Sequence, residues 1–304
     1  MTKYRREFRR IAKRLTLADI QAGDPDEILS LDSLVSDGRV SSSSNFLMGA
    51  FSEKGVQKVL DVFGFSKILA GMGLKNIQIQ VDTSDPHTHR LYAYYEKKCS
   101  ENKICELVLK RGPLHFAQIA QQVHLANDPD LLQIEWLLLQ NPKDHFSIER
   151  PQLPGQKYPG LNLGDRLMEL LIIMTRRLGL CGMVAKPNYF HTAHFFEPEF
   201  GFVNPQHQAI MSCYHRDLLD HYPFYTVAWA AHFDCVINTK EKKVLDWEPG
   251  YLVMPLTRNL MRYFRSKNYQ NTVQQKMKDF QLSIQMDRFV ECMRQNQLKL
   301  ADEI

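Results

Sequence analysis

The sequence predicts an α/β fold: a mixed, mainly antiparallel sheet flanked by helices, with a helical extension at each end. Three observations predict it. Residues 76–82 alternate at period two, and two more strand-like runs follow at 90–97 and 104–111. An apolar run at 131–140 leads through a glycine-bearing loop into an amphipathic segment at 165–178. The flanking regions, 1–72 and 216–304, read mostly at helical period. At 304 residues, 44% hydrophobic and 24% charged, the chain has room for a sizeable core. It contains no run long and apolar enough to predict a membrane-spanning helix. The charged start lacks an apolar signal core, so a cytoplasmic location is expected. The six cysteines, Cys99, Cys105, Cys181, Cys213, Cys235 and Cys292, form no C-x-x-C pair and suit reduced thiols.

From the N-terminus, Tyr4, Phe8, Ile11 and Leu15 fall at helical spacing within a basic segment. Lys3, Arg5, Arg6, Arg9, Arg10, Lys13 and Arg14 against Glu7 give that segment +6 of a net +4, which leaves the rest near −2. The body is therefore not a basic nucleic-acid-binding surface. The favoured reading is a helix docked by its apolar stripe; contact of residues 3–14 with nucleic acid or anionic lipid is the alternative. Asp24–Ser44 reads as a linker, and 52–72 as a helix divided at Gly64.

Strands follow at 76–82, 90–97 and 104–111, as a meander. The turn "TSDPHT" precedes the second of them, and Asp85, His87 and His89 are read as a polar turn rather than a metal site. A helix is expected at 114–124, the apolar strand at 131–140 and a helix at 165–178 ended by Gly179. A strand at 182–186, a short helix in "NYFHTAHFF" and a strand at 208–215 come next. Val273, Met277, Phe280 and Ile284 predict the apolar stripe of the last helix. The expected domains are a helical region with its linker (1–75), a core (76–215) and a helical C-terminal region (216–304).

The element order, with "PGLNLGDRL" as its glycine-bearing loop and "NYFHTAHFFEPEFGF" beyond, resembles the Gcn5-related N-acetyltransferases. In that family the pyrophosphate of acetyl-CoA lies on backbone amides where a helix follows the fourth strand. The resemblance covers about residues 76–215. It puts Pro159 at the family's Arg/Gln position, Asn162 at its first glycine and Gly164 at its last. Asn162 is a mild departure, because asparagine tolerates positive φ. Ala193 stands off the usual offset, Gly201 and Phe202 match, and Phe196 falls where a tyrosine often protonates the leaving thiolate.

The resemblance implies an acyl-CoA-dependent N-acyltransferase, with acetyl-CoA or a longer acyl-CoA as co-substrate and a small-molecule or protein amine as acceptor. Gly160, Leu161, Asn162, Leu163, Gly164, Asp165, Arg166 and Asn188 are the expected cofactor-binding residues. Glu135, the one charge in "LLQIEWLLLQ", is the expected general base. Its apolar neighbours should desolvate the carboxylate and suit it to proton transfer. Alternation also sets Gln133 and Glu135 on one face, which a wet strand face would equally produce. His191 or His194, three apart on a helix, could replace the missing tyrosine as general acid. A zinc site there lacks a third ligand at diagnostic spacing, so no metal is expected. His232 and Cys235 have no third group to orient them as a nucleophilic pair. Arg150, Lys157, Tyr158 and Arg176 are further candidates for phosphate or acceptor contact. The alternative function is a non-catalytic module that binds a partner through its helical extensions.

Overall fold

The computed structural model describes residues 4–21, 46–122 and 127–299. The expected linker at Asp24–Ser44 lies outside the described residues. Two compact units emerge, each assembled from separated stretches of chain. The first comprises Met1–Gly112, Leu132–Asp144 and Gly160–Leu180. The second comprises Pro113–Leu131, His145–Pro159 and Cys181–Ile304.

In the first unit, α1 (Arg5–Ala12) and α2 (Leu17–Ile20) precede α3 (Glu53–Val62) and α4 (Phe65–Gly71). Gly64 takes φ +79 between α3 and α4 and divides them, as the sequence predicts. The strands are β1 (Gln78–Asp82), β2 (Thr88–Tyr94) and β3 (Lys103–Pro113). Both successive pairings are antiparallel, with Ile79 opposite Ala93 and Leu91 opposite Leu107. β4 (Asp130–Leu139) lies next to β3 in strand order. The polar turn is present at Asp85 and His87, where Asp85 Oδ1 accepts from the His87 and Thr88 amides, but His89, expected in it, lies on β2 instead. His89 is buried, and its Nδ1 accepts from the Met48 amide at 2.8 Å.

After α5 (Ala117–Gln122), which belongs to the second unit, α6 (Gly164–Arg177) completes the first. It receives the N-terminal helix, as favoured from the sequence. Phe8 is fully buried, edge-on to Phe63 at 4.7 Å. Arg5 Nε donates to the buried Glu169 at 3.0 Å, and Arg177 Nη2 donates to the Ala12 and Leu15 carbonyls. Arg6, Arg9, Arg10, Lys13 and Arg14 remain exposed.

The second unit holds β5 (Gly182–Ala185), α7 (Phe190–Phe196), β6 (Gly201–Phe202) and α8 (Pro205–Tyr214). A π-helical turn at His215–Leu219 and α9 (Phe224–His232) follow, then β7 (Val236–Asn238), β8 (Lys243–Val244) and β9 (Leu252–Pro255). The chain continues through α10 (Arg258–Arg265), α11 (Lys267–Met277), β10 (Leu282–Ile284) and α12 (Met286–Gln295). β9 lies between β5 and β6, antiparallel to both. β10, β7 and β8 form a separate antiparallel sheet. Phe116, Leu131, Val184, Val253, Leu260 and Val273 help to build the core. Buried Tyr263 and Tyr269 donate to the Val203 and Phe202 carbonyls at 2.6 and 2.7 Å, so neither hydroxyl is stranded.

Two expectations are corrected. The strand expected at 208–215 is helix α8, because Asn204 caps it by accepting from the Gln206 amide and Pro205 sits at its start. The stripe assigned to one final helix is split. Val273 and Met277 lie on α11, Phe280 follows its end and Ile284 lies on β10. The C-terminal region is thus helical but interrupted by short strands. The architecture is α/β, mainly antiparallel and flanked by helices, like that of the Gcn5-related N-acetyltransferases. Among the described residues no helix is long and apolar enough to cross a membrane. All six cysteines are free.

Candidate functional site

The loop that the sequence singles out enters α6 in the first unit. Leu161 and Leu163 are buried and pin it, while Asn162 and Gly164 between and after them face solvent. Asn162 takes φ +55, in the left-handed region that asparagine tolerates better than most residues. Leu163 occupies the N-cap position at φ −109, ψ 7 and has no side-chain oxygen with which to cap. The first bond of the helix runs from the Leu167 amide to the Leu163 carbonyl at 2.9 Å. The amides of Gly164, Asp165 and Arg166 therefore project from the helix start, at the positive end of its dipole. A Cβ built on Gly164 meets no atom within 4 Å, and one on Gly160 comes no nearer than 3.7 Å to the Leu139 carbonyl.

Two side chains here have other business. Arg166 lies over the Tyr4 ring at 4.0 Å and is held by α1. Asp165 places a carboxylate in the first turn, where it competes with an incoming anion for the same dipole. Arg176 lies near Arg9 and Arg5; burial and these two cations pull its pKa down.

Glu135 is on β4 and 42% exposed, with Lys110 Nζ of β3 at 3.5 Å. The expectation of an apolar wall around it is corrected: the strand presents Glu135 and Trp136 to solvent, and the burial lies at Leu131, Leu132 and Ile134. An ion pair this exposed contributes about 0–1 kcal/mol, so its geometry leaves the carboxylate available for other partners.

The second unit gathers the histidines. His191 is buried on α7, stacked on Tyr189 with centroids 5.3 Å apart. Burial, then neighbouring His232, push its pKa down to about 4, and its Nδ1 has no hydrogen-bond partner. It is thus neutral near pH 7, a form that donates a proton less readily than imidazolium. His194 lies elsewhere on the helix, with centroids 5.0 Å from Phe224 and 5.1 Å from His215. Burial and His215 lower its pKa, while Glu197 opposes them. Phe196 packs edge-on to Phe200. Asn188 is exposed ahead of α7.

The long loop at 149–159 is tied down within the second unit. Trp229 Nε1 donates to the Gln152 carbonyl, and Gln156 bonds both Gln152 and Leu153. Gly155, at φ +75, lets the Tyr189 ring approach so closely that a Cβ would lie 2.8 Å from its hydroxyl oxygen. Lys157 Nζ lies over Tyr158. The Cys235 thiol is pushed up to about 11 by burial and Cys292, an environment unsuited to a nucleophile. Surface depressions lined by Lys240, Lys276 and Asp279, and by Phe116, Ile119 and Asp128, contain none of the predicted site residues.

Sequence reasoning anticipated the strand–loop–helix order, and the positive φ of Asn162 is one that asparagine tolerates. It did not find Lys110 beside Glu135, nor Glu197 and His215 beside His194, because each pairing depends on tertiary structure. The one local signal was the spacing of His194 and Glu197 by three residues on a helix. No protein-family model matches this chain, and a search of curated proteins finds no match to it either.

Proposed function

We propose that the chain is an acyl-CoA-dependent N-acyltransferase. The observation that carries this reading is Asn162 at φ +55, directly ahead of an uncapped helix that follows the fourth strand. The amides of Gly164, Asp165 and Arg166 hold the pyrophosphate, and Gly160, Leu161, Asn162 and Leu163 shape the approach. Asn188 is assigned to the cofactor by resemblance. The acceptor amine attacks the thioester carbonyl carbon, the C–S bond breaks and CoA leaves as a thiolate. Backbone amides of β4 polarise the carbonyl. Glu135 takes the proton from the attacking nitrogen, directly or through water. His191 and His194 are the candidates for protonating the thiolate, again by resemblance.

Thermal shift with acetyl-CoA and longer acyl-CoAs tests this directly. A ligand at 100 times its Kd adds about 2.7 kcal/mol. Gly164→Trp should abolish that shift and leave the unliganded melting temperature near wild type, because the Cβ position is open. Glu135→Gln should slow acyl transfer by roughly 10²–10⁴-fold with unchanged CoA affinity, and less at high pH, where the free amine needs no base. A wild-type protein that binds no acyl-CoA at millimolar ligand sinks the reading. The exposed cations of α1 would then favour the non-catalytic module.

A further inference from the structure

The histidine-rich face of the second unit has a feature that the acyltransferase reading does not use. His194 and Glu197, three apart across the end of α7, meet His215, which opens the π-helical turn after α8. One ligand atom from each lies within 4.8 Å of the others. His215 Nε2 is 2.6 Å from Glu197 Oε2, and His194 Nδ1 is 3.9 Å from that same oxygen. The second separation is too long for a hydrogen bond. His194 Nδ1 is accordingly buried without a hydrogen-bond partner. Such an atom is costly unless something completes it.

From these contacts we infer that His194 Nδ1, Glu197 Oε2 and His215 Nε2 form a binding site for a zinc-class divalent ion. Two donors on one tetrahedral zinc, each at about 2.0–2.1 Å, lie about 3.3 Å apart. The observed 2.6 and 3.9 Å from the carboxylate straddle that value, and the two imidazole nitrogens lie within 4.8 Å of each other, so closing on an ion requires side-chain rotations only. Two borderline imidazole donors with one carboxylate suit zinc better than magnesium or calcium, which prefer oxygen throughout.

A supporting shell is present. Gln208 Nε2 donates to Glu197 Oε1 at 3.5 Å and holds the carboxylate from its other oxygen. The π-helical turn shifts His215 out of the register of α8, a distortion often found at functional sites. His215 and His194 are 41% and 30% exposed, which leaves a fourth coordination position to water or a small ligand. A metal on His194 would also remove it as a proton donor and leave that role to His191 or to solvent.

The test uses the full chain, stripped with a chelator and titrated with Zn²⁺, with Co²⁺ as a spectroscopic substitute. Wild type should bind one equivalent, and its Co²⁺ form should show the strong visible absorption of a low-coordinate site. His194→Ala, Glu197→Gln and His215→Ala should each weaken binding by at least about a hundredfold. Gln208→Ala should weaken it by roughly 10–100-fold, as loss of a supporting contact does. His221→Ala, an exposed histidine outside the cluster, should change nothing. Circular dichroism without metal identifies any variant that fails to fold, and His215→Gln, which keeps a polar side chain, then takes its place. Absence of stoichiometric binding in wild type, or binding that survives loss of His215, overturns the site.

Discussion

Replacing Glu169 by alanine tests whether the N-terminal helix belongs to the fold. Glu169 is 1% exposed and Arg5 13% exposed, with Nε and Oε1 3.0 Å apart. The variant removes this carboxylate from a guanidinium that is largely sheltered. Stranding one member of a fully buried pair costs about 3–5 kcal/mol. Arg5 sits near the surface and recovers part of its hydration, so about 2–3 kcal/mol is expected here. Helix propensity cannot account for such a loss, because alanine is the better helix former. Against a total stability of about 5–15 kcal/mol, this is a large share. Urea denaturation of wild type, Glu169→Ala, Arg5→Met and the double variant Arg5→Met/Glu169→Leu closes a cycle. The double variant should recover most of the loss, since a well-packed apolar pair substitutes for a buried ionic one. A Glu169→Ala midpoint indistinguishable from wild type, with no coupling to Arg5, would show that the pair does not hold α1 in place.

Asn162→Val should lose about 1–2 kcal/mol, because a β-branched residue resists the left-handed conformation at φ +55, whereas Asn162→Gly should keep both fold and CoA-induced stabilisation. Equal melting temperatures for the two would contradict the loop conformation. His191 supplies a pH test. Its folded pKa of about 4 lies below the unfolded value of about 6.5, so the unfolded chain takes up the proton first. Its contribution is complete above pH about 6.5 and is lost as pH falls toward about 4, a change of roughly 3 kcal/mol. Buried His89 is shifted in the same direction and adds to the slope. His191→Phe should flatten that part of the stability profile, and an unchanged profile would refute the burial argument.

Much of this was legible in the sequence because it is written in short-range patterns. Alternation in "NIQIQVD" gave β1, and Gly64 between two apolar stripes gave the break between α3 and α4. The asparagine standing in for glycine at position 162 gave the turn of the loop. Segment 208–215 was misread because its apolar residues suit either element; the deciding signal was Asn204-Pro205 upstream, a cap and a helix starter. The strands of the C-terminal region are only two to four residues long, too short for alternation to register. Glu135 looked enclosed because its sequence neighbours are apolar. A strand turns alternate residues to opposite faces, and which face is wet depends on what packs there. Glu197 and His215 are 18 residues apart, with strand β6 and helix α8 between them, a separation no local spacing rule would flag.

The interleaving of the two units constrains how the chain is made. Arg5 and Glu169 are 164 residues apart, so at about 5–20 residues per second the first helix leaves the ribosome roughly 8–30 s before its partner exists. Phe8 gains its aromatic neighbours Phe63 and Phe65 earlier, once they have emerged. The β1–β2–β3 meander, whose pairings are local, can form while synthesis continues. The first unit closes only when α6 arrives, by which time 113–131 and 145–159, parts of the second unit, are already out. Neither unit can therefore be completed on its own by a single cut between residues 112 and 113. A fragment ending there would carry β3 without β4 beside it, with an open edge available to other chains. Nascent-chain protease protection should accordingly rise late, after about residue 180, rather than stepwise at each unit.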